Sequence, residues 1–526
     1  MSKYYKRSLW CFVLILCVIL VSAMRVMMVA SDPKLSTAAA KQSTRTIQVA
    51  QNRGKIYDCN GIPLTDRYFD EVTVVLPTSK ASVPLSEMLS GNDYDTALKK
   101  IRKGQSVTVL GKRPLTSGGW ETFFVPRRYG STLTHTLGYL DSAGHGVSGV
   151  EKAFDSLLYT DSYQSISYTA NSLGRMLEGV DYTVNKGEQG GSVTLTVDSR
   201  IQSLCGQAMA DVERGAAVVI EAKTGRIKSV VSRPDYDRND IASALKSDDS
   251  PLINRVTYSY NVGSVFKPLL AAVALENGFE DYRYTCTGSI TVGDKTFRCN
   301  RSSGHGELGL KEALAYSCNT YFYTLGQRLG AENIHRMSSA LRFGRELDCG
   351  GGLISSSGSL PQLETLETLP AELVNLSIGQ GELLLSPIAL SVLYCAIVNG
   401  GEYRLPYLVL ATEQNGVKTM LEPSLPTVVF SKTTADALKE YLKEVLINGT
   451  GNSAFSEGVS AGGKTGTAQT GWVEDGRKIL NGWFCGFYEG QADYVIVILK
   501  EDVKSGSTDC APIFKTLTEQ LQNLGF

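Results

Sequence analysis

A serine and a lysine stand three positions apart in the stretch GSVFKPLLAAVALENG, as Ser264 and Lys267. The apolar run that follows predicts a helix, in whose first turn positions i and i+3 share a face and Pro268 is tolerated. The hydroxyl can then act as a nucleophile, provided that burial lowers the lysine pKa enough for the amine to serve as a base. Taken alone, Ser264 fits an ordinary helix N-cap equally well.

A second pair, Ser317 and Asn319, lies in YSCNTYF between two helical segments. A hydroxyl that relays a proton and an amide that holds a carbonyl group are useful at the edge of a cleft. In isolation, local capping is the more ordinary role for both residues. The pair therefore indicates a catalytic function only when it is considered together with the other patterns in the sequence.

The third stretch, GVSAGGKTGTAQ, satisfies two incompatible patterns. As G-x-x-x-x-G-K-[ST] it would cradle phosphate, but this requires a strand before the loop and a helix beginning at the lysine, and neither is predicted here. As K-T-G-T it offers the Lys464 cation and the Thr465 and Thr467 hydroxyls to a peptide carboxylate, and backbone N–H groups near Thr467 to a developing oxyanion. We expect a peptide site and no nucleotide.

The segments that must position these residues change in character along the chain. Residues 31–51 are predicted to be a linker, and the runs EVTVVLP, QSVTVLG, ETFFVP and QSISYTA indicate a strand-rich, non-catalytic region that continues to residue 191. From residue 192 the pattern is strand, hairpin with its tip at 223–225, a block of helices, and closing strands. This order predicts one α/β sandwich whose sheet is assembled from both ends of the domain.

The N-terminus carries an apolar run at 8–30, preceded by Lys3, Lys6 and Arg7. Its length suits a hydrocarbon layer of about 30 Å. The flanking charges place residues 1–7 in the cytoplasm and the rest of the chain outside. An uncleaved signal-anchor is favoured, and a signal peptide removed near VSA at 21–23 is the alternative.

The balance of charged residues argues against a nucleic-acid partner. The chain has 526 residues, with 52 basic and 53 acidic side chains and a formal net charge of -1. It lacks the basic field that nucleic acid requires. The histidines contain no H-E-x-x-H and suggest no Ser-His-Asp triad, so structural roles are expected for all of them: His135, His145, His305 and His335.

Two of the eleven cysteines, Cys286 and Cys299, lie at the ends of a predicted hairpin that turns at GDK. A disulfide between them is sterically feasible, and a reduced pair is the alternative. Zinc is not expected, because no second cysteine or histidine pair stands at ligand spacing in the sequence. No metal and no cofactor are predicted.

The order and context of S-x-x-K, S-x-N and K-T-G-T resemble those of class B penicillin-binding proteins, the monofunctional peptidoglycan D,D-transpeptidases. The resemblance extends to RGKIYDCNGIPL, HTLGYL and GVSGVEKAFD in the first half. In the second half it includes LTVDSRIQ, GHGELGLKEALAYSCNTYFY, SIGQGELLLSPIAL, IVNGG and GTGNSA. One departure is Val262, where the family often has a proline before the nucleophile turn.

The resemblance implies an α/β penicillin-binding/transpeptidase fold with a central antiparallel sheet flanked by helices, a strand-rich N-terminal pedestal domain and one transmembrane helix. The implied boundaries are a cytoplasmic tail at 1–7, a signal-anchor at 8–30, a linker and dimerisation-like pedestal at 31–191, and a transpeptidase domain at 192–526.

The same resemblance implies roles for individual residues. Ser264 would be the nucleophile that releases D-alanine from a stem pentapeptide, and Lys267 the base. Ser317 would shuttle the proton, Asn319 would hold the donor backbone and Lys464 would tune Ser317. Thr465 and Thr467 would contact the terminal carboxylate, and the substrate-binding residues would be those that follow Lys464 in K-T-G-T, namely Thr465, Gly466 and Thr467.

The implied partners are peptidoglycan stem peptides, β-lactam antibiotics that acylate Ser264, and a polytopic SEDS-type glycosyltransferase in the membrane. A D,D-carboxypeptidase, a β-lactamase and a catalytically idle scaffold for a glycosyltransferase remain as alternatives. The sequence leaves open whether the role is in elongation, division or sporulation.

Overall fold

The computed structural model describes residues 2–130, 132–474 and 476–526. The chain forms two compact units, each assembled from separate segments. The first unit contains residues up to Arg53, Asp66–Arg128 and Thr160–Gln189; the second contains Gly54–Thr65, Tyr129–Tyr159 and Gly190–Phe526. A linear division at residue 192 thus leaves two segments of the second unit, 54–65 and 129–159, on the N-terminal side of the boundary.

Helices occur in both units, the first four in the first unit and the others in the second. In chain order they are α1 (Ser2–Ser31), α2 (Pro33–Ser43), α3 (Ser82–Met88), α4 (Gly91–Arg102), α5 (Thr134–Leu137), α6 (Gly149–Ala153), α7 (Asp155–Leu158), α8 (Ser199–Ala208), α9 (Ile241–Lys246), α10 (Lys267–Glu276), α11 (Leu310–Ala315), α12 (Asn319–Leu329), α13 (Ala331–Ala340), α14 (Leu363–Thr368), α15 (Pro370–Leu376), α16 (Pro387–Val398), α17 (Lys432–Ile447), α18 (Gly506–Asp509) and α19 (Ala511–Asn523). Short 3-10 turns occupy Gly263–Phe266 and Asn452–Ala454.

Strands occur in both units. They are β1 (Thr44–Arg53), β2 (Ile56–Tyr57), β3 (Thr65–Val75), β4 (Val107–Leu110), β5 (Trp120–Tyr129), β6 (Tyr159–Thr169), β7 (Thr183–Asn185), β8 (Ser192–Leu195), β9 (Gly215–Glu221), β10 (Arg226–Arg233), β11 (Tyr260–Asn261), β12 (Tyr284–Cys286), β13 (Ser289–Val292), β14 (Lys295–Arg298), β15 (Gly306–Leu308), β16 (Leu347–Asp348), β17 (Ile354–Ser355), β18 (Leu384–Leu385), β19 (Glu402–Tyr403), β20 (Val409–Gln414), β21 (Val417–Met420), β22 (Thr427–Val428), β23 (Ala461–Glu474), β24 (Arg477–Glu489) and β25 (Asp493–Lys500).

The first unit begins with α1, whose apolar stretch Lys3–Ser31 is long enough to cross a membrane. Within the described residues it is the single helix that meets this test. The predicted linker at 31–51 is wrong, because these residues form α2 and most of β1. The Ser- and Thr-rich composition of 31–51 is typical of a linker and led to the wrong prediction. The alanines in 33–43 nevertheless favour a helix, and the Thr, Ile and Val residues in 44–53 favour a strand.

The strand-rich prediction for the rest of the first unit is confirmed. Its strands form two three-stranded sheets, in the orders β4-β3-β5 and β1-β6-β7. Alternating burial along β4 places its valines inward, where they pack with α3 and α4 around a small apolar core. A second small core gathers around Ile166 and Phe123.

The second unit is organised by a five-stranded antiparallel sheet in the order β10-β9-β25-β24-β23. Strands β9 and β25 are buried along nearly their whole length, which explains their continuous apolar sequences. Helix α16 packs on β9 and β25, and α19 packs with α8, β24 and β25. The predicted sandwich, with a sheet drawn from both ends of the domain, is confirmed.

The strand that carries K-T-G-T, β23, is the edge strand of this sheet. Helix α17 packs along it. The last residue of β24, Glu489, ties helix and sheet together, because its carboxylate contacts Lys439 at 2.5 Å and Lys443 at 3.0 Å on α17. It also accepts a hydrogen bond from Ser460 at 2.6 Å, directly before β23.

We predict that Glu489→Gln lowers the free energy of unfolding by about 2 kcal/mol at neutral pH, because charge-assisted hydrogen bonds are lost. Burial alone would raise the pKa of Glu489, but its contacts with Lys439, Ser460 and Lys443 outweigh burial and lower the pKa to about 2. The stabilisation is therefore complete above the unfolded pKa near ~4.3 and is lost as pH falls through the folded pKa.

Denaturant unfolding at several pH values measures this difference between wild type and variant, which should shrink between pH ~4.3 and ~2. Glu440→Gln is the matched control, because Glu440 contacts the same Lys443 but is mostly exposed. Equal stability of wild type and Glu489→Gln at neutral pH would contradict the assignment.

Candidate active site

Ser264 lies in the 3-10 turn Gly263–Phe266, which runs directly into α10. Gly263 has a φ of 67°, its N–H donates to the Gly379 carbonyl at 2.7 Å, and a Cβ atom there would lie 3.0 Å from the Thr467 carbonyl oxygen. A glycine is required because both the left-handed backbone and the close approach exclude a larger residue. The turn is thereby held against β23.

Lys267 begins α10 and is fully buried. Its Nζ donates to the Ser317 carbonyl at 2.8 Å, to Ser317 Oγ at 3.2 Å and to Asn319 Oδ1 at 2.7 Å. Burial lowers the pKa of Lys267 to about 7. The amine is therefore available as a base near neutral pH, which the sequence argument required.

Ser317 and Asn319 come from the short connection between α11 and α12. Ser317 is buried with a φ of 55°, an unfavourable conformation for a residue with a side chain. Cys318 follows at the N-terminal boundary of α12, and Asn319 is the first residue of that helix. Strain of this kind persists where the surroundings hold the backbone in place, and it is common at active sites.

Lys464 lies within β23 and is fully buried. Its Nζ donates to Thr450 Oγ1 at 3.3 Å and to the Thr465 carbonyl at 3.2 Å. Burial, and then the positive charge of Lys267, lower the pKa of Lys464 well below its ordinary value. The strand continues past Lys464 through Thr467, so the phosphate-loop reading is excluded.

The outer face of the same strand carries Thr467, which is exposed and whose Oγ1 accepts a hydrogen bond from the Gly506 N–H at 3.1 Å. A Cβ atom on Gly466 would lie 3.0 Å from Val265 Cγ1, so this glycine lets β23 approach the turn Gly263–Phe266 that carries Ser264. The three sequence patterns therefore meet at one place. The second K-T-G, at 223–225, is the tip of the β9–β10 hairpin, where Lys223 is exposed as predicted and Gly225 is buried.

Thr450 is a site residue that the sequence argument did not assign. Its hydroxyl lies 2.9 Å from Thr465 Oγ1 and accepts the hydrogen bond from Lys464, while its carbonyl accepts one from Ser507 Oγ at 2.8 Å. The signal was the stretch GTGNSA, in which Thr450 lies, but nothing in the pattern indicates that the threonine contacts a lysine in a neighbouring strand.

A family model for the penicillin binding protein transpeptidase domain matches residues 215–519, which is more than half of the chain. The chain belongs to this family. Stage V sporulation protein D of Bacillus subtilis is 28% identical, with 94% of this chain and 81% of that protein covered. The peptidoglycan D,D-transpeptidase MrdA of Acinetobacter baumannii is also 28% identical, with 90% and 81% covered.

Solved structures agree on the fold of this transpeptidase-family protein. A D,D-transpeptidase domain from Eggerthella lenta superposes with a TM-score of 0.66 at 26% identity, covering 90% of this chain and 99% of that one. A chain from a peptidoglycan synthase complex gives a TM-score of 0.70 at 22% identity, with 97% of each chain covered. The predicted penicillin-binding/transpeptidase fold is confirmed.

The cysteine predictions need correction. The hairpin at GDK exists, as β13 and β14, but Cys286 and Cys299 are both free thiols. Zinc was not expected because no second cysteine or histidine pair stands at ligand spacing in the sequence, but such spacing does not reveal residues that only the fold brings together. Among the described residues, the fold gathers the thiols of Cys286, Cys299 and Cys318 with a ring nitrogen of His305, all within 4.8 Å of one another.

The other histidines that the structure shows with polar partners lie elsewhere. His135 Nε2 is 2.7 Å from the Pro251 carbonyl, and His145 Nδ1 is 2.8 Å from Asp155 Oδ2. Both contacts fit the structural roles expected from the sequence. His305 does not, because it faces the cysteines.

We predict that the rate at which a fluorescent penicillin labels the protein rises with pH and reaches half its maximum near pH ~7. The reason is that the neutral amine of Lys267 is the base, and its pKa is lowered to about 7. Stopped-time labelling between pH ~5.5 and ~9 measures this rate. Lys267→Arg, which keeps the charge but cannot lose it, should label very slowly at every pH. A flat profile for the wild type would contradict the role of Lys267.

We predict that Thr450→Val slows this labelling by about ten-fold, since removing one hydrogen-bond partner of a buried polar group costs about 1.5 kcal/mol and leaves Lys464 with one acceptor fewer. Thr450→Ser keeps the hydroxyl and should label nearly as fast as the wild type. Labelling of Thr450→Val at the wild-type rate would show that this hydroxyl is dispensable.

Proposed function

We propose that this chain is a serine-type peptidoglycan D,D-transpeptidase, which joins stem peptides through an acyl-Ser264 intermediate and releases D-alanine. The observation that carries the proposal is the position of Lys267, buried one turn from Ser264 and bonded to both Ser317 and Asn319. Family membership and the names of relatives such as MrdA support the same conclusion.

In the acylation step, Ser264 Oγ attacks the carbonyl carbon of the penultimate D-alanine while its proton passes to the Lys267 amine. The C–N bond to the terminal D-alanine then breaks, and that nitrogen leaves as an amine after receiving a proton through Ser317 Oγ. This hydroxyl lies 3.2 Å from Lys267 Nζ, so a proton can pass between them.

The oxyanion that forms on the attacked carbonyl needs backbone donors. The N–H groups of Ser264 and Thr467 suit this role, since the nucleophile turn and β23 lie against one another. A donor of this kind contributes about 3 kcal/mol in acyl transfer. Asn319, held by Lys267, is placed to keep the donor peptide backbone in register.

The terminal carboxylate of the donor peptide is assigned to the K-T-G-T segment. The hydroxyls of Thr465 and Thr467 are the direct contacts, and the buried Lys464 amine, which donates to the Thr465 carbonyl and to Thr450 Oγ1, holds this part of the strand in place. An edge strand offers unpaired backbone groups to an extended peptide, so β23 can bind the donor as an additional strand along Gly466.

The second half-reaction transfers the acyl group to an amine of a neighbouring stem peptide, which regenerates the Ser264 hydroxyl and forms the cross-link. Water in place of the amine would make the same site a D,D-carboxypeptidase. β-Lactams, which imitate D-alanyl-D-alanine, should acylate Ser264 and remain attached. A penicillin-binding protein of the same fold, from Mycobacterium tuberculosis, was solved in complex with aztreonam.

The apolar helix of the first unit supports a membrane location. The apolar helix α1 would anchor the chain as a single pass, with residues 1–7 in the cytoplasm and the residues after α1 outside, where peptidoglycan is made. The proposed partner is a SEDS-type polytopic glycosyltransferase that supplies the glycan strands. One protein of similar fold was solved in a peptidoglycan synthase complex.

We predict that the full-length protein in detergent forms a single covalent adduct with a fluorescent penicillin, and that Ser264→Ala forms none. Intact mass and peptide mapping locate the adduct. The matched control is Ser243→Ala, because Ser243 and Lys246 form another S-x-x-K on α9, where Ser243 is bonded only to Asp240 among the contacts described.

The natural reaction is tested with a synthetic stem pentapeptide and an amine acceptor, by measuring release of D-alanine and the cross-linked dimer. Release with dimer formation supports transpeptidation, and release without dimer points to the carboxypeptidase. A well-folded wild type that neither binds penicillin nor releases D-alanine would overturn the enzyme assignment in favour of the scaffold.

A further inference from the structure

The turn Gly263–Phe266, which carries Ser264, runs into a helix whose second residue is a proline. In a 3-10 turn each carbonyl accepts a hydrogen bond from the N–H three positions later. The Lys267 N–H bonds to the Ser264 carbonyl in this way. The carbonyl of Val265 would need the N–H of residue 268, but Pro268 has none. The carbonyl next to the nucleophile therefore lacks the donor that this geometry normally provides.

The hydroxyl of Tyr394 supplies a donor from another element. It lies on α16 and donates to the Val265 carbonyl at 3.0 Å. Both residues are completely buried, so water cannot take the place of the hydroxyl. A buried carbonyl without a partner is unfavourable, and the bond from Tyr394 removes this cost.

The packing of α16 does not require this hydroxyl. The helix is buried along its whole length and packs on β9, β24 and β25. A phenylalanine at position 394 would occupy nearly the same volume without bringing into the core a polar group that has to be paired. Burial raises the pKa of Tyr394 well above its ordinary value, so the hydroxyl keeps its proton and remains a donor. The hydroxyl of Tyr394 thus serves the turn that carries Ser264.

A second buried side chain holds the segment just before this turn. The Nε1–H of Trp483 on β24 donates to the Asn261 carbonyl at 2.9 Å, and Trp483 is completely buried. In the pairing of β24 with β23, Trp483 stands opposite Gly466, directly before Thr467. Backbone carbonyls on both sides of Ser264 in the sequence are therefore held by side chains of other elements.

We propose that Tyr394 is a positioning residue for the acylation step. By holding the Val265 carbonyl, it keeps the N–H and the hydroxyl of Ser264 directed towards β23, where the N–H of Thr467 is the second donor to the oxyanion. Tyr394 is completely buried, so it acts through the turn and not by contact with substrate. This inference rests on the proposed function, and it adds a residue that lies outside S-x-x-K, S-x-N and K-T-G-T.

The effect on the reaction follows from geometry. Donors stabilise an oxyanion fully only when they already lie where the charge develops, and a displacement of about 1 Å can slow a reaction about 100-fold. Without the Tyr394 hydroxyl, the Val265 carbonyl regains a donor only if the turn shifts. Ser264 is the neighbouring residue, so its N–H and its hydroxyl shift with it.

The test compares two tyrosines that have the same chemistry at different places. Tyr403 is 2% exposed, and its hydroxyl donates to the Ala340 carbonyl, also at 3.0 Å. Tyr394→Phe and Tyr403→Phe each remove one bond from a hydroxyl to a backbone carbonyl. Both variants should therefore lower the midpoint of denaturant unfolding to a similar extent. A difference between them in acylation then reports on the turn and not on stability.

Acylation is measured on the full-length protein in detergent, with a fluorescent penicillin at several concentrations. Saturation separates the dissociation constant of the reversible complex from the rate constant of acylation. Tyr394→Phe should lower the rate constant about ten-fold and leave the dissociation constant unchanged, because only the reaction step needs the oxyanion donors. Tyr403→Phe should match the wild type in both constants.

The pH dependence gives a further readout. Tyr394→Phe leaves the contacts of Lys267 with Ser317 and Asn319 in place, so the midpoint of the pH profile should stay near pH ~7 while the rate falls at every pH. An unchanged rate constant in Tyr394→Phe, equal slowing of both variants or a shifted midpoint overturns the positioning role. A wild type that is never acylated overturns the proposed function, and the positioning role falls with it.

Discussion

Two lysine amines, those of Lys267 and Lys464, are buried completely in the same region of the second unit. Among the described residues neither forms an ion pair with a carboxylate, and their recorded hydrogen-bond acceptors are neutral oxygens. Burying a cation without a counter-ion is unfavourable, and the protein responds by lowering the pKa of the amine. The surrounding fold must supply well-placed oxygens from several elements, because water does not reach these positions.

The need for these oxygen acceptors explains which helices and strands lie next to one another in the second unit. The Lys267 amine on α10 needs acceptors from the connection before α12, and the Lys464 amine on β23 needs the Thr450 hydroxyl from the loop after α17. Gly263 and Gly466 remove the side chains that would keep α10 and β23 apart. The turn that carries Ser264, the connection that carries Ser317 and Asn319, and strand β23 therefore hold one another in place. A shift in one of them would leave a buried amine without its acceptors.

Much of the second unit and of the candidate site could be predicted from the sequence, because the signals are local. The helix after Ser264, the hairpin at 223–225 and the closing strands show local periodic patterns of apolar residues. The patterns S-x-x-K, S-x-N and K-T-G-T directly identify the residues of the candidate site. Thr450 and the cysteine cluster could not be predicted in the same way, because their partners meet only after the chain has folded. The linker prediction for 31–51 failed because composition outweighed the weaker helix and strand preferences of α2 and β1.

The sheet that supports the site joins β9 to β25, strands that lie near opposite ends of the matched range 215–519. Contacts between residues so far apart form late, since the entropy of closing a long loop must be overcome first. Strand β25 also separates β9 from β24 and β23, so the substrate strand cannot join the sheet before β25 does. A chain that is still being synthesised would therefore present Ser264 without its opposing strand, and reactivity would arise only once the whole unit had been completed.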